Sequence, residues 1–173
     1  MFLDAIVRLY DYQRESNARV LDIVDELSES ELQSTIVEGQ PSISDTLLHM
    51  ISIVQINVAW WSNRLSGEDA YLLEYPVSEY PVSEYPVSEY RNSENLRELW
   101  VRTDAEIAKF IDSLKSNNDL ERMYTRVTPD GETRNRVLWE MMLHVINHGT
   151  QHRSEVAMML TKLGHSPGDM EIL

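Results

Sequence analysis

Apolar residues recur at steps of three and four along most of the chain, a spacing that places them on one face of an α-helix. The pattern is sustained over four long stretches, at about residues 2–27, 42–65, 93–114 and 134–163. Regular strands are not predicted beside them. We therefore predict an all-α fold, a four-helix bundle that forms a single domain over residues 1–173.

Local signals mark several of the helix ends. Ser42, followed three residues later by Asp45, is typical of a helix N-terminus, because the hydroxyl can accept a backbone N–H of the first turn. Gly164 comes just after the last apolar residue and is predicted to cap the fourth helix. Between the third and fourth helices, Asp130-Gly131 lies among residues that favour strands, which predicts a short hairpin or an irregular turn.

The segment EYPVSEYPVSEYPVSEY, residues 74–90, is a five-residue repeat between the second and third helices. Proline at every fifth position excludes an α-helix, since each ring removes a backbone donor and clashes with the preceding turn. We predict an extended connector over residues 67–92. We expect some of its tyrosine rings to lie on the bundle or on a partner subunit: Tyr75, Tyr80, Tyr85 and Tyr90. A recognition segment for another protein is the alternative.

Composition narrows the possible partners. The chain has no cysteine, which excludes disulfides, thiolate metal sites and cysteine nucleophiles. Its formal net charge is −14 and no basic patch compensates for it, so we expect no binding to nucleic acid. No apolar run is long enough to predict a signal peptide or a membrane span. We expect a cytoplasmic protein that acts on a small molecule.

Three of the five histidines lie in HVINHGTQH, residues 144–152, at intervals of four on the predicted fourth helix. Successive helix residues turn by about 100°, so His148 and His152 are neighbours on one face. The apolar positions of this helix place His152 in the buried stripe, His148 on its shoulder and His144 toward the edge. His144 and His152 are about 12 Å apart along the axis, which makes three ligands from one helix unfavourable.

A further histidine, His49, follows the apolar spacing of the second helix and is predicted to face inward. Buried imidazoles are costly unless they have partners. We interpret His49, His148 and His152 as ligands of one divalent metal, with Zn favoured and Ni, Cu or Fe(II) as alternatives. Three protein ligands with an open fourth position are typical of catalytic zinc. The competing interpretation is that each is a hydrogen-bonded core residue. His165, beyond the helix, is interpreted as a turn residue.

The block LWEMMLHVINHGTQHRSEVAMMLTKLGHSPGDM, together with the isolated histidine in DTLLHMISIVQINVAWW, resembles the DinB/YfiT-like metalloenzyme superfamily over nearly the whole chain. The resemblance implies a bundle in up-down-down-up order, with a long crossover between the second and third helices. The long connector at residues 67–92 independently favours such a crossover. The resemblance also implies a divalent metal held by His49, His148 and His152. It further implies chemistry with a low-molecular-weight thiol, as in related transferases and isomerases, and a homodimer.

Other positions near the histidines carry weaker predictions. Many relatives have His-Arg-Gly-Gln where this chain has a serine and Glu155 after the arginine. Glu155 is interpreted either as a partner that orients an imidazole or, preferably, as an edge residue; it is also the one weak candidate for a general base. We predict that Trp60 and Met141 line an apolar pocket beside the metal. Gly149, inside the helix, predicts a close approach by the backbone of a neighbouring helix.

Three functions remain open at this stage. In the preferred hypothesis, a metal-dependent S-transferase, the metal lowers the pKa of a bound thiol, so that a thiolate nucleophile exists at neutral pH. In the second, water activated by the metal hydrolyses a small substrate. In the third, the bundle binds a metal or a small molecule without catalysis.

Overall fold

The computed structural model describes residues 2–66, 92–128 and 130–170. Its main body consists of four long helices: α1 (Phe2–Val24), α3 (Ile43–Trp61), α4 (Ser93–Ser113) and α6 (Leu138–Lys162). Smaller elements connect them: α2 (Glu29–Gln33), α5 (Asn117–Leu120), β1 (Met123–Val127) and β2 (Thr133–Val137). The predicted helical bundle is confirmed. The predicted extended connector and its tyrosines fall in residues 67–91, outside the described residues. Within the described ranges, no helix is sufficiently long and apolar to span a membrane.

The predicted helix ends are partly confirmed. The Ser42 side chain accepts the backbone N–H of Asp45 at 3.1 Å, as its spacing predicts, and begins α3. Gly164 has φ +92°, the left-handed conformation that allows glycine to end α6. The first helix is shorter than predicted, because Ser28 and Glu31 form a reciprocal cap that begins the separate helix α2.

The hairpin predicted around Asp130-Gly131 is present and occupies part of the predicted fourth helix. Strands β1 and β2 are antiparallel, with Arg126 paired with Arg134 and Met123 with Val137. The prediction that the helix begins near Arg134 is therefore wrong, because residues 134–137 form backbone hydrogen bonds with β1. Tyr124 attaches the hairpin to the bundle by donating its hydroxyl to the Trp61 carbonyl at 2.7 Å.

Contacts between the first and last long helices show that α1 and α6 run in the same direction. The Tyr10 hydroxyl donates to the carbonyl of Met142 at 3.1 Å. Further along both helices, Arg153 donates to the Asn17 side chain at 3.1 Å. Residue numbers therefore rise together along this pair of helices.

Helices α3 and α4 are also joined by contacts at two levels. Gln55 donates to the Thr103 hydroxyl at 2.9 Å, and the rings of Trp61 and Phe110 lie 5.5 Å apart, so these helices also run in the same direction. The first half of α1 packs in one apolar cluster with the second half of α3, which makes α1 and α3 antiparallel. Helices α1 and α6 thus point one way, and α3 and α4 point the other.

The apolar core is divided into two clusters along the bundle axis. One cluster includes Ile6, Ile53, Ile56, Ile107 and Met142. The other includes Val20, Leu47, Leu99, Val156 and Leu160. Polar side chains from all four long helices lie between them, and we call this group the polar layer: Gln13, Asn17, His49, Thr103, Asp104, His148, His152 and Arg153. All of them are buried or half-buried. The middle of the bundle therefore contains a group of polar and titratable side chains that are shielded from solvent.

Gly149 lies in the polar layer, against a buried side chain of α1. A Cβ atom on Gly149 would lie 3.0 Å from Nε2 and 3.2 Å from Oε1 of Gln13. That amide is fixed, since it donates to the Ile146 carbonyl and accepts from Arg153. The predicted backbone approach is therefore wrong: glycine makes room for a glutamine side chain.

Gly149→Ala tests this packing. Alanine favours a helix by about 1 kcal/mol over glycine, but overpacking against the fixed Gln13 amide costs typically about 1–3 kcal/mol. We expect a net loss of stability in urea unfolding. Asn147→Ala, at an exposed position of the same helix, is the control and should leave stability unchanged or higher. A Gly149→Ala protein at least as stable as the wild type would contradict the assignment.

Candidate metal centre

The three histidines selected from the sequence come together between α3 and α6. Nε2 of His148 lies 3.0 Å from Nε2 of His49 and 3.1 Å from Nε2 of His152. The three potential ligand atoms all lie within 4.8 Å of one another. His144 is exposed, with its ring 6.2 Å from that of His148, and is not part of this group. His165 lies elsewhere, with Nδ1 3.7 Å from the Glu26 carboxylate.

The donor set fits a divalent metal ion. Zinc binds histidine nitrogen at about 2.0–2.1 Å with tetrahedral geometry, which separates neighbouring ligand atoms by about 3.3 Å. The separations of 3.0 and 3.1 Å are close to this value. Three imidazole nitrogens also suit zinc, nickel, copper or iron. The group His49, His148 and His152 could therefore hold a metal ion.

Burial keeps two of these imidazoles neutral. It lowers the pKa of His49 to about 4, with a smaller contribution from the neighbouring His152. Burial likewise lowers the pKa of His148 to about 3, again with help from the adjacent histidines. A neutral imidazole has a lone pair on one ring nitrogen, which is the form that binds metals. Where several such nitrogens converge, their lone pairs can bind one cation.

Glu155 orients the third imidazole. Its Oε2 lies 2.6 Å from Nδ1 of His152, and its Oε1 accepts from the Gln151 amide at 3.2 Å. A proton on Nδ1 that is donated to Glu155 leaves the lone pair of His152 on Nε2, the atom that faces the other histidines. The preferred sequence interpretation of Glu155 as an edge residue is therefore wrong, and the alternative, an orienting partner, describes its contacts.

A cavity of about 170 Å³ adjoins the site, and His148 forms part of its wall. All four long helices line it. Its apolar lining includes Val7, Met50, Ile51, Val54, Trp100, Ile107 and Val145. The predicted pocket residues Trp60 and Met141 are not among the residues around this cavity. Both are buried in the apolar cluster beyond the polar layer, where the Trp60 ring packs on Tyr124 and Arg126.

Sequence reasoning missed the polar residues that surround the histidines. Arg153 is only 2% exposed and donates to Gln13, Asn17 and the Thr150 hydroxyl. Asp104 lines the cavity from α4. The sequence does contain a sign of this network, because Gln13 occupies one of the apolar positions of α1, between Tyr10 and Val20. Polar residues at apolar positions indicate a buried polar network.

The fold and the site together define a class of protein: a helical bundle with a three-histidine group that could hold a metal ion. The chain belongs to the DinB family, whose family model matches residues 1–173. It is 25% identical over 166 residues to Protein DinB of Bacillus subtilis (strain 168), which covers 94% of this chain and 88% of that protein.

Solved structures share the fold. A DinB-like protein from Bacillus cereus superposes with a TM-score of 0.67 at 14% identity, over 96% of this chain and 95% of that one. A conserved protein from Enterococcus faecalis has a TM-score of 0.60 at 10% identity, over 90% of this chain and 95% of that one. At these identities the likeness concerns the backbone fold.

The lowered histidine pKa values predict how the metal-free protein responds to acid. The unfolded chain has histidine pKa values of about 6.5, against about 4 for His49 and about 3 for His148 in the fold. As the pH falls from 6.5 towards 3, the unfolded chain takes up protons that the folded one does not, so stability falls. Allowing for the partial exposure of both rings, we expect a loss on the order of 1 kcal/mol per pH unit.

Urea unfolding at several pH values measures this slope. Asp104 acts in the opposite direction, since burial raises its pKa to about 6 and protonation on acidification favours the fold. The slope must therefore be compared between wild type and a His49→Gln/His148→Gln variant, in which it should flatten below pH 6.5. His144→Gln, which changes an exposed histidine of the same helix, should retain the wild-type slope. Equal slopes in wild type and the double variant would rule out the buried neutral imidazoles.

Proposed function

We propose that this protein binds one divalent metal ion, preferably zinc, through His49, His148 and His152, and is a metal-dependent thiol S-transferase acting on a small molecule. The observation that carries the proposal is the convergence of the three Nε2 atoms, beside a cavity whose wall includes His148. Membership of the DinB family supports it. Cavities of this kind, apolar with a few convergent polar groups, are typical of small-molecule sites.

Each residue of the centre has a distinct part in this proposal. The three imidazoles bind the metal and leave a fourth coordination position. His148 also lines the cavity, which places the centre beside the space that a small molecule would occupy. Glu155 holds His152 in the tautomer that binds, through the contact with Nδ1. A bound metal would lower the pKa of a coordinated thiol, so that the thiol would be a thiolate at neutral pH.

The surroundings of the centre favour this chemistry. Apolar side chains form most of the cavity wall, which limits water near the reacting groups and strengthens electrostatic interactions there. The Arg153 guanidinium joins α6 to Gln13 and Asn17 of α1 and holds the helix that carries two of the histidines. A rigid support of this kind keeps ligand atoms at a fixed separation.

The hydrolytic alternative is less well supported. Hydrolysis by a metal-activated water uses a nearby general base, and Glu155 was the sequence candidate for it. Its carboxylate lies against Nδ1 of His152 and accepts from Gln151, so its contacts are those of an orienting residue. Binding of a metal without catalysis is the remaining alternative, and absence of thiolate coordination to the bound metal would favour it.

Titration of metal-free protein with Zn²⁺ tests the centre itself. We expect one bound ion per chain, and replacement of His49, His148 or His152 by alanine should remove tight binding. Glu155→Gln should weaken it by a smaller factor, about 10- to 100-fold, because the imidazole keeps its place but loses its orienting carboxylate. His144→Ala is the matched control from the same helix and should bind zinc like the wild type. Tight zinc binding by any of the three ligand variants would contradict the assignment.

Co²⁺ in place of Zn²⁺ tests the thiol chemistry, because thiolate coordination to Co²⁺ produces a charge-transfer absorption in the near ultraviolet. We expect this absorption at neutral pH on addition of a small thiol such as cysteine, glutathione or 2-mercaptoethanol. The His49→Ala protein serves as the control and should show none. If the protein binds Co²⁺ but none of the three thiols produces this absorption, the S-transferase proposal is refuted and metal binding alone is supported.

A further inference from the structure

The cavity beside the three histidines also contains charged groups that the proposed reaction does not use. Helix α1 contributes Asp11 and Arg14, and α4 contributes Asp104 and Asp112. Among the described residues that line the cavity, His148 apart, three carboxylates and one guanidinium give a formal charge of −2. The lining is otherwise mostly apolar.

The four charged groups occupy different depths. Arg14 donates to Asp11 at 2.9 Å, and these side chains are 54% and 40% exposed, so they form a neutral pair at the mouth of the cavity. Asp112 is exposed as well. Asp11 and Asp104 are both half-buried, but the Asp11 carboxylate is already paired with Arg14. Asp104 is therefore the half-buried carboxylate of the lining that lies outside this ion pair.

Two other buried polar side chains of the cavity, Gln13 and Thr103, already have protein partners. The Gln13 amide is bound to the Ile146 carbonyl and to Arg153. The Thr103 hydroxyl donates to the Leu99 carbonyl and accepts from Gln55, each at 2.9 Å. Both side chains are neutral, so neither favours a charged ligand over an uncharged one.

Asp104 remains largely ionised at neutral pH in this setting. Burial raises its pKa to about 6, while the Arg14 guanidinium and the Trp100 indole partly oppose this. Besides Arg14, the other charged or titratable groups in the lining are Tyr10 and Asp11 on α1, Asp112 on α4 and His148 on α6. The lining residues of α3 are Met50, Ile51 and Val54. A partly buried carboxylate among apolar side chains is a strong acceptor for a cationic donor.

We infer that Asp104 is a specificity-determining residue of this cavity, and that the cavity takes a small apolar molecule bearing a protonated amine. The amine lies on the Asp104 carboxylate, and the apolar part lies against Val54 and Ile107. In the metal-free protein, an anion is disfavoured by the charge of the lining. The volume of about 170 Å³ is adequate for one aromatic ring, since a cavity of about 150 Å³ takes benzene. This inference rests on the proposed function in treating the cavity as the substrate site.

Three ligands of nearly equal size separate the contributions of charge and shape: benzylamine, benzyl alcohol and benzoate. Their binding to the full chain is measured by calorimetry at pH 7.5, once after treatment with a chelator and once with Zn²⁺ added. We expect benzylamine to bind about 10-fold or more tightly than benzyl alcohol, because a charge-assisted hydrogen bond replaces a neutral one. Benzoate should bind most weakly to the chelator-treated protein, in which no dication offsets the charge of the lining.

Asp104→Asn keeps the shape of the side chain and removes its charge, so the preference for the amine should fall to nearly 1-fold. Glu106→Gln removes a charge from an exposed position of the same helix, and this control should retain the preference. The wild-type comparison needs no variant. Equal binding of amine and alcohol, retention of the preference in Asp104→Asn, or no binding of benzylamine would each overturn the inference.

The outcome is separable from that of the proposed function. Amine preference in a protein that fails to bind Zn²⁺ would support the Asp104 assignment and refute the metal-dependent reaction. Zinc binding and thiolate absorption in a protein without amine preference would support the metal-dependent reaction and refute the Asp104 assignment.

Discussion

The structure depends on the requirement that polar groups in the middle of a helical bundle find partners. A buried polar group without a hydrogen bond costs roughly 2–7 kcal/mol, which is comparable to the whole stability of a small domain. The polar layer meets the requirement by connecting helices. Arg153 of α6 donates to Gln13 and Asn17 of α1, and Gln55 of α3 donates to Thr103 of α4.

These connections also set the relative positions of the helices. Two apolar clusters could tolerate a shift of one helix along another, since hydrophobic contact is not directional. The hydrogen bonds of the polar layer are directional and would be broken by such a shift. The same layer holds His49 against His148 and His152, so the register of α3 and α6 and the geometry of the candidate metal centre have one physical origin. Glu155 extends this arrangement to the orientation of a single ring.

Proteins of low sequence identity can share this fold because the apolar clusters and the polar layer have different roles. The Bacillus cereus structure shares the backbone fold at 14% identity. Apolar clusters accept many different side chains if volume and pattern are kept. Departures from that pattern are informative for the same reason. Gln13 interrupts the apolar spacing of α1, and Gly149 provides the space that its side chain occupies.

By itself, the sequence determined the four long helices, the cap at Ser42 and the inward-facing positions of His49, His148 and His152, because these depend on local spacing along the chain. For Asp130-Gly131 it allowed either a hairpin or an irregular turn. Tertiary structure alone decided where α6 begins, since residues 134–137 pair with a strand. It also decided that Trp60 and Met141 lie away from the cavity, and that Glu155 contacts Nδ1 of His152. Such outcomes depend on distances between elements and on rotamers, which spacing within one helix does not specify.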